Sequence, residues 1–549
     1  MPLQSLITGR IATLAGATGF GWVEAIGIRD GRVAFAGTEV ALETRADPFT
    51  ERIGLEPDEV AIPGLTDAHM HLAGAAEATL QVDLTGAATL ADGLAAIRTA
   101  HEALTDPAAW LEGHGWDSDR WGRWPTAADL EAVAPGRACA LWAHDHHALL
   151  ASHAALAAAG VDRDVADPPG GVIRRDTAGL PEGVLYESAT RLVVVHIPPM
   201  AREDLEGRIV AVSLALLSLG VVAVHDPGGL APDPELDRSY PAYALLSERG
   251  RLPVRVLASL RADALETALA GGLRSGAILG SNPEGRARVG WQKCFADGSL
   301  GSRTAALLAD IEPEADRPLP PDRRRGIWIT EPDRLCEQVE RAAAGGIATQ
   351  IHGIGDAAVR AALDALEPTA ATVPFMPRVE HVQLLDAADR GRFAAAGIAA
   401  SVQPAHLGTD AAQARMLWGS RAERNGYTWG SIAATGAVVA FGTDAPVEPF
   451  DPWPGIALAV RREDARWPPG TAPFAPDEAL TVERALRAAC IGPPASARER
   501  GRGRLTAGQR ADIVVIPAAS LAEPVEPGGA LATTRPTMVI LDGRVVYEA

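Results

Sequence analysis

The sequence predicts an α/β fold: a (β/α)8 TIM-like barrel joined to a small β-sandwich domain that both termini build. Three observations predict it. Eight short apolar runs, each ending in polar residues, alternate with Ala-rich stretches of helical spacing. An Asp-Gly pair lies between apolar runs near each end of the chain. The first apolar run and the second are separated by a segment too long for one crossover helix, which marks a large insertion.

The N-terminal stretch AIGIRDGRVAFAG holds Asp30-Gly31, and the C-terminal stretch MVILDGRVVYEA holds Asp542-Gly543. Asp-Gly between apolar runs signals a tight hairpin, because both turn residues accept positive φ. Residues 1–60 and 505–549 are therefore assigned to one β-sandwich domain, and residues 61–504 to a unit inserted into it. In that unit the apolar runs end at DAHMH (67–71), VHD (224–226), ASLR (258–261), KCFADG (293–298), IHGIGD (351–356), EHVQ (380–383), SVQPAH (401–406) and GTDAP (442–446). Eight β/α units imply a closed parallel barrel, whose chemistry belongs at the C-terminal strand ends. The insertion, residues 76–204, contains WLEGHGWDSDRWGRW and ALWAHDHHALLAS, with five of the twelve tryptophans. Those rings either line a substrate pocket over the barrel mouth or form the subdomain's own core. Residues 312–326, 408–427 and 464–478 are rich in proline, glycine or charge and read as surface connections suited to a lid.

The chain of 549 residues is 47% hydrophobic and 22% charged, which is globular composition. A formal charge of -20 without a basic stripe argues against nucleic acid and anionic membranes as partners. Cys139, Cys294, Cys336 and Cys490 form no CxxC pair, so neither a disulfide scaffold nor a zinc ribbon is expected, and a reducing cytoplasm is the simplest location. MPLQSLITGR lacks the pattern of a secretory signal. The longest apolar run, 209–224, is broken by Ser213, Ser218 and Gly220 and is too short to span a bilayer.

His69 and His71 follow the first run at a spacing that strand alternation places on one face. His352 and His381 end later runs, and Asp444 ends the eighth. Each alone is more readily a hydrogen-bonded core group or a turn cap, but all five end strands of one barrel and converge on its axis. Nitrogen and oxygen donors of this kind suit zinc, with manganese, iron or cobalt also compatible. Lys293 is the one lysine among 50 basic residues, and it falls at the end of the fourth run. An ammonium beside divalent cations is repelled, whereas a buried lysine can lose its proton. The neutral amine can then add carbon dioxide and release a proton, giving a carbamate able to bridge two metals.

PGLTDAHMHL, KCFADGSLGSRTA, IHGIGD, RVEHVQLL and GTDAPVEPFDPW together resemble the amidohydrolase superfamily, specifically its N-substituted formamide deformylase-like (YtcJ-like) branch. The resemblance extends to WLEGHGWDSDRW and DHHALLASHAAL in the insertion and to GRLTAGQRADIVVI at the return to the β domain. It implies a metal-dependent hydrolase whose ligands are His69, His71, Lys293, His352, His381 and Asp444, with two zinc ions bridged by N6-carboxylated Lys293. One of His146 and His147 matches the family's insertion histidine, with His147 preferred for substrate binding. Asp297 and Ser299 are further candidates for orienting substrate, Asp297 being equally suited to capping a turn. Cys294 is expected to turn away from the metals and pack, and His225-Asp226 to be structural.

Four neutral histidines, a carbamate and Asp444 would leave two divalent ions with positive charge to polarise a carbonyl. A metal lowers the pKa of water from 15.7 to about 7, so hydroxide is available, with Asp444 as base and then acid. The expected substrate is an exocyclic amide of N-acyl or N-formyl amine type. A cyclic amide, carbamate, ester or lactone is the alternative within this chemistry, and a mononuclear deaminase or decarboxylase that dispenses with Lys293 is the alternative outside it. A noncatalytic scaffold is disfavoured by the intact ligand set. The expected partner is a small molecule, and a homodimer is one assembly the resemblance allows.

Overall fold

A computed structural model describes residues 3–228, 239–282, 285–313, 319–523 and 525–549. Eight parallel strands form the central sheet: β1 (Leu65–Asp67), β2 (Val221–Asp226), β3 (Arg255–Arg261), β4 (Ala287–Phe295), β5 (Thr349–Gly353), β6 (Arg378–His381), β7 (Ala399–Val402) and β8 (Val439–Phe441). Neighbours in sequence pair in parallel from β1 to β8, with a register shift in the β1–β2 and β3–β4 pairings. Each strand coincides with one of the eight apolar runs. β2, β5, β6 and β7 are buried at every position, as strands covered on both faces must be. The seam between β1 and β8 is closed just beyond the strands, where Ala68 N–H donates to Phe441 O (2.9 Å), Asp444 N–H to His69 O (2.6 Å) and His71 N–H to Ala445 O (2.9 Å). These bonds place the residues after β1 directly against those after β8.

The crossover helices follow from apolar periodicity and capping. Pro332–Ala344 begins with proline, whose missing N–H costs nothing in the first turn, and buries Leu335, Val339 and Ala342 along one stripe. Val482–Cys490 is capped by Thr481, whose hydroxyl accepts from Arg484 N–H. Truncating a stripe residue such as Leu335 to alanine would cost about 3 kcal/mol, a typical cavity penalty for a fully buried leucine.

Both termini enter one eight-stranded sheet that includes Ser5–Ala12, Trp22–Arg29, Arg32–Gly37, Glu59–Pro63, Ile513–Pro517, Met538–Leu541 and Arg544–Glu548. The Asp-Gly turns behave as read: Asp30 and Gly31 have φ of 51° and 69°, Asp542 and Gly543 51° and 75°. Alternation divides the sheet. Ile513 and Val515 join a cluster with Ile7, Ile26 and Ile28, while Val514 and Ile516 pack into the barrel's own core.

Between β1 and β2 lies a second, six-stranded sheet running from Val82–Asp83 to Pro181–Glu187. Its tryptophans divide between the two readings: Trp116 and Trp121 belong to its buried core, and Trp142 faces the barrel mouth. The stretch 408–427 departs from the expectation of a loop, since it is helical over most of its length, within Pro404–Trp418 and Ser420–Asn425. Its alanines and the buried Leu417 and Trp418 pack against the barrel and outweigh the glycines that suggested a connection. Residues 314–318 of the 312–326 segment lie outside the described residues.

Candidate metal centre

His69 and His71 lie beyond β1, and His71 is already the N-cap of the helix Leu72–Ala78. The strand-to-helix turn, rather than strand alternation, brings their rings to 5.6 Å. Lys293 is on β4 itself, where alternation sends Trp291, Lys293 and Phe295 inward and Cys294 into the outer core, as expected. His352 and His381 end β5 and β6, with ring centroids 4.4 Å apart. His381 and Asp444 have φ of 72° and 63°, left-handed values that non-glycine residues adopt at a cost of about 1–3 kcal/mol each and that cluster at functional sites.

The hydrogen bonds behind the histidines determine where their lone pairs point. His71 Nδ1 meets the carbonyl of Gly228 at 2.7 Å. A carbonyl only accepts, so Nδ1 carries the proton and Nε2 presents a lone pair. His69 Nδ1 is 2.6 Å from Glu380 Oε2, which imposes the same tautomer, and its buried Nε2 has no hydrogen-bond partner among the described residues. Both Nε2 atoms face Asp444 Oδ1, at 3.3 Å from His69 and 3.4 Å from His71. Three electron-pair donors thus converge, an arrangement that calls for a cation among them, either a second proton on an imidazole or a metal ion, and the donor types suit a divalent metal. A second trio, His381, His406 and Asp444, shares the aspartate.

Burial pushes the Lys293 ammonium down to about 8, although Glu380 and Asp444 face it and favour its charge. His352 and His381 are held well below the usual imidazole range by burial, with neighbouring histidines and Lys293 adding to the effect. Burial alone would raise the Asp444 carboxyl, but His69, His406 and His71 outweigh it and hold it well below the usual range. The site therefore offers neutral imidazoles at His352 and His381, an ionised carboxylate and an amine that loses its proton more easily than usual, while despite burial Asp444 and Glu380 push His69 up and Asp444 with Glu448 push His406 up to about 10.

The remaining candidates divide. His147 lines the pocket, its ring 5.0 Å from that of His352. Its Nδ1 is 2.8 Å from Glu187 Oε2, and despite burial this carboxylate pushes the imidazole up to about 9. His146 stacks on Trp142 and is pushed down to about 3 by burial and by His114. Ser299 also lines the pocket and donates to Asp145 Oδ2 at 2.6 Å. Asp297 is fully buried and accepts from the N–H groups of Ala306, Ile354 and Gly355, so it organises the loops after β4 and β5. His352 belongs to the pocket but to neither convergent trio, because its Nε2 is 3.0 Å from Gly298 O. His225 and Asp226 are structural: His225 faces Arg378, and Asp226 receives hydrogen bonds from Tyr243 and Gly228.

Sequence reading missed His406, Glu448, Glu380 and Arg378. His406 Nε2 is 3.1 Å from Asp444 Oδ2, and its Nδ1 is 3.6 Å from Glu448. Arg378 is fully buried, donates through Nε to Glu380 Oε1 (2.9 Å), and stacks over Trp291 at 4.0 Å. The available signal was position: His406 closes the seventh apolar run, and Arg378 and Glu380 precede His381 on the sixth.

The Amidohydrolase family profile matches residues 58–547. YtcJ of Bacillus subtilis (strain 168) is 29% identical over 529 residues, 96% of each chain. The N-substituted formamide deformylase of Arthrobacter pascens is 27% identical over 540 residues, covering 96% of this chain and 95% of that one. Among solved structures, an uncharacterized metal-dependent hydrolase from Pyrococcus horikoshii OT3 superposes with a TM-score of 0.71 at 24% identity, over 93% of this chain and 97% of that one. No helix among the described residues is long and apolar enough to cross a membrane.

Proposed function

The chain belongs to the amidohydrolase family, and from that premise we propose that it cleaves an exocyclic amide, an N-acyl or N-formyl amine, at a centre of two divalent ions. The ligands are His69, His71, Lys293, His352, His381 and Asp444, with Lys293 carboxylated on Nζ and zinc the metal that best suits the donors. The observation that carries this reading is the convergence of the His69 and His71 Nε2 atoms on Asp444 Oδ1. On the same reading the terminal sheet is the β-sandwich domain, residues 61–504 are the catalytic unit, and residues 76–204 are its inserted subdomain.

When bound, the metals supply an activated water and a Lewis acid for the amide oxygen. The chain does the rest. Asp444 takes a proton on Oδ2, where His406 Nε2 lies 3.1 Å away, and returns it to the departing amine. Glu448, 3.6 Å from His406 Nδ1, keeps that imidazole oriented towards Asp444. His147, held protonated by Glu187, offers a donor to the acyl oxygen. Trp142, Phe295, Leu300 and Ile329 line the apolar wall and fit an apolar or aromatic substituent. The Arthrobacter relative, named as an N-substituted formamide deformylase, supports the substrate class.

The test is a panel of N-formyl and N-acyl arylalkylamines scored by free amine, with the zinc-loaded protein and after chelation. Amine release that zinc restores is expected. Turnover of lactones or cyclic amides with none on the open-chain amides would refute the substrate assignment.

A further inference from the structure

A second cavity, ≈ 920 Å³ in volume, opens at the opposite end of the barrel. It lies between the middle of β2, the N-terminal halves of β3 and β4, and the hairpin turns of the terminal sheet. Among the described residues seven arginines line it, including Arg255, Arg286, Arg502 and Arg510. Against them stand three lining carboxylates, Asp30, Glu499 and Asp542, and a fourth, Asp512, that pairs with Arg255 at 2.9 Å, which leaves a surplus of three positive charges among the described residues. The chain as a whole carries -20.

The carboxylates are already heavily shared. Asp542 alone contacts Arg255, Arg286 and Arg510. Two buried nitrogens in the cavity wall make no hydrogen bond among the described residues, Arg502 Nε, which lies 3.6 Å from Asp512 Oδ2, and His225 Nε2. The His225 assignment follows from its other nitrogen: Arg378 Nη1 sits 3.1 Å from Nδ1, a guanidinium only donates, and Nε2 must therefore carry the proton. Arg544 lines the rim from the exposed edge strand. Among the described residues, guanidinium groups outnumber carboxylates here.

We propose that this cavity binds a small phosphorylated anion at a site separate from the metal centre. A tetrahedral phosphoryl group presents acceptors to several guanidinium forks at once, whereas a carboxylate presents two oxygens to one fork. Calorimetric titration of the full-length protein with inorganic pyrophosphate tests it. One saturable site per chain is expected. Its Kd should rise by more than about tenfold in the double variant Arg288→Gln/Arg544→Ser, the loss of one or two charge-assisted hydrogen bonds. In Asp444→Asn the Kd should be unchanged, and tricarballylate should bind at least about tenfold more weakly than pyrophosphate. Hydrogen exchange on the unmodified protein supplies a readout independent of the variants, with pyrophosphate protecting 285–288 and 541–546. No saturable binding, protection confined to the loops around Asp444, or loss of binding in a folded Asp444→Asn protein would overturn the proposal. So would a wild-type Kd in the folded double variant, while equal affinity for tricarballylate would overturn the phosphoryl assignment.

Discussion

Replacing Glu380 by glutamine removes one charge and leaves the shape almost unaltered, so its effect isolates what that carboxylate does. Glu380 Oε1 accepts from Arg378 Nε at 2.9 Å and Nη2 at 2.8 Å, and Oε2 lies 2.6 Å from His69 Nδ1, all fully buried. Burial alone would raise this carboxyl, but Arg378 and His69 hold it down to about 2 from an ordinary 4.5. That difference corresponds to about 3 kcal/mol, and breaking a buried ion pair by neutralising one partner costs a similar ~3–5 kcal/mol. In Glu380→Gln the Arg378 guanidinium keeps neutral acceptors, Gln350 and the Ala68 carbonyl, while its charge is uncompensated. The amide can also offer an N–H to His69 Nδ1, which would move the imidazole proton to Nε2 and close the proposed coordination position. The expected result is a thermal midpoint several degrees lower and zinc affinity weaker by about 10–100-fold, the usual cost of losing a carboxylate behind a histidine ligand. Scanning calorimetry and competition with a chromophoric chelator measure the two. The sign with pH is fixed by the depressed pKa: the stabilisation is complete above the unfolded value near 4.5 and is lost as pH falls towards 2. A Glu380→Gln protein with native zinc affinity would refute the reasoning, because the carboxylate would then not be setting the His69 tautomer.

Lys293→Arg should reduce bound metal from two ions per chain to one or none and lower kcat by more than about a hundredfold, since guanidinium cannot form a carbamate; metal analysis with activity assays checks this, and full activity with one ion would refute the two-metal centre. Trp142→Ala should raise KM for aromatic N-acyl amines by about tenfold while sparing small aliphatic ones, as expected for removal of one pocket wall. Gly31→Ala should lower stability by about 1–3 kcal/mol with kcat unchanged at moderate temperature: Gly31 has φ of 69°, and an added Cβ would lie 2.8 Å from the Asp542 carbonyl oxygen. Melting temperature and steady-state kinetics on the same preparation separate the two effects.

The barrel was legible in the sequence because a strand buried on both faces must be continuously apolar, and each such run had to end where polar residues become useful. Asp444 and the four histidines were legible for the same reason. The Asp-Gly turns announced the hairpins because few other residue pairs accept two successive positive φ values. Other features had no local signature. His406 closes the seventh apolar run, but nothing in the sequence says that its ring reaches Asp444. Asp297 was read as orienting substrate or capping a turn, and it is held by three backbone N–H groups from two different loops. The pairing of Arg378 with Glu380 and His225, and the arginine cavity beneath them, join residues from strands and turns hundreds of positions apart. Periodicity records only which side of an element faces the interior. Which charges meet there depends on how the ring closes and how the terminal sheet seats against it, and only the assembled tertiary structure decides that.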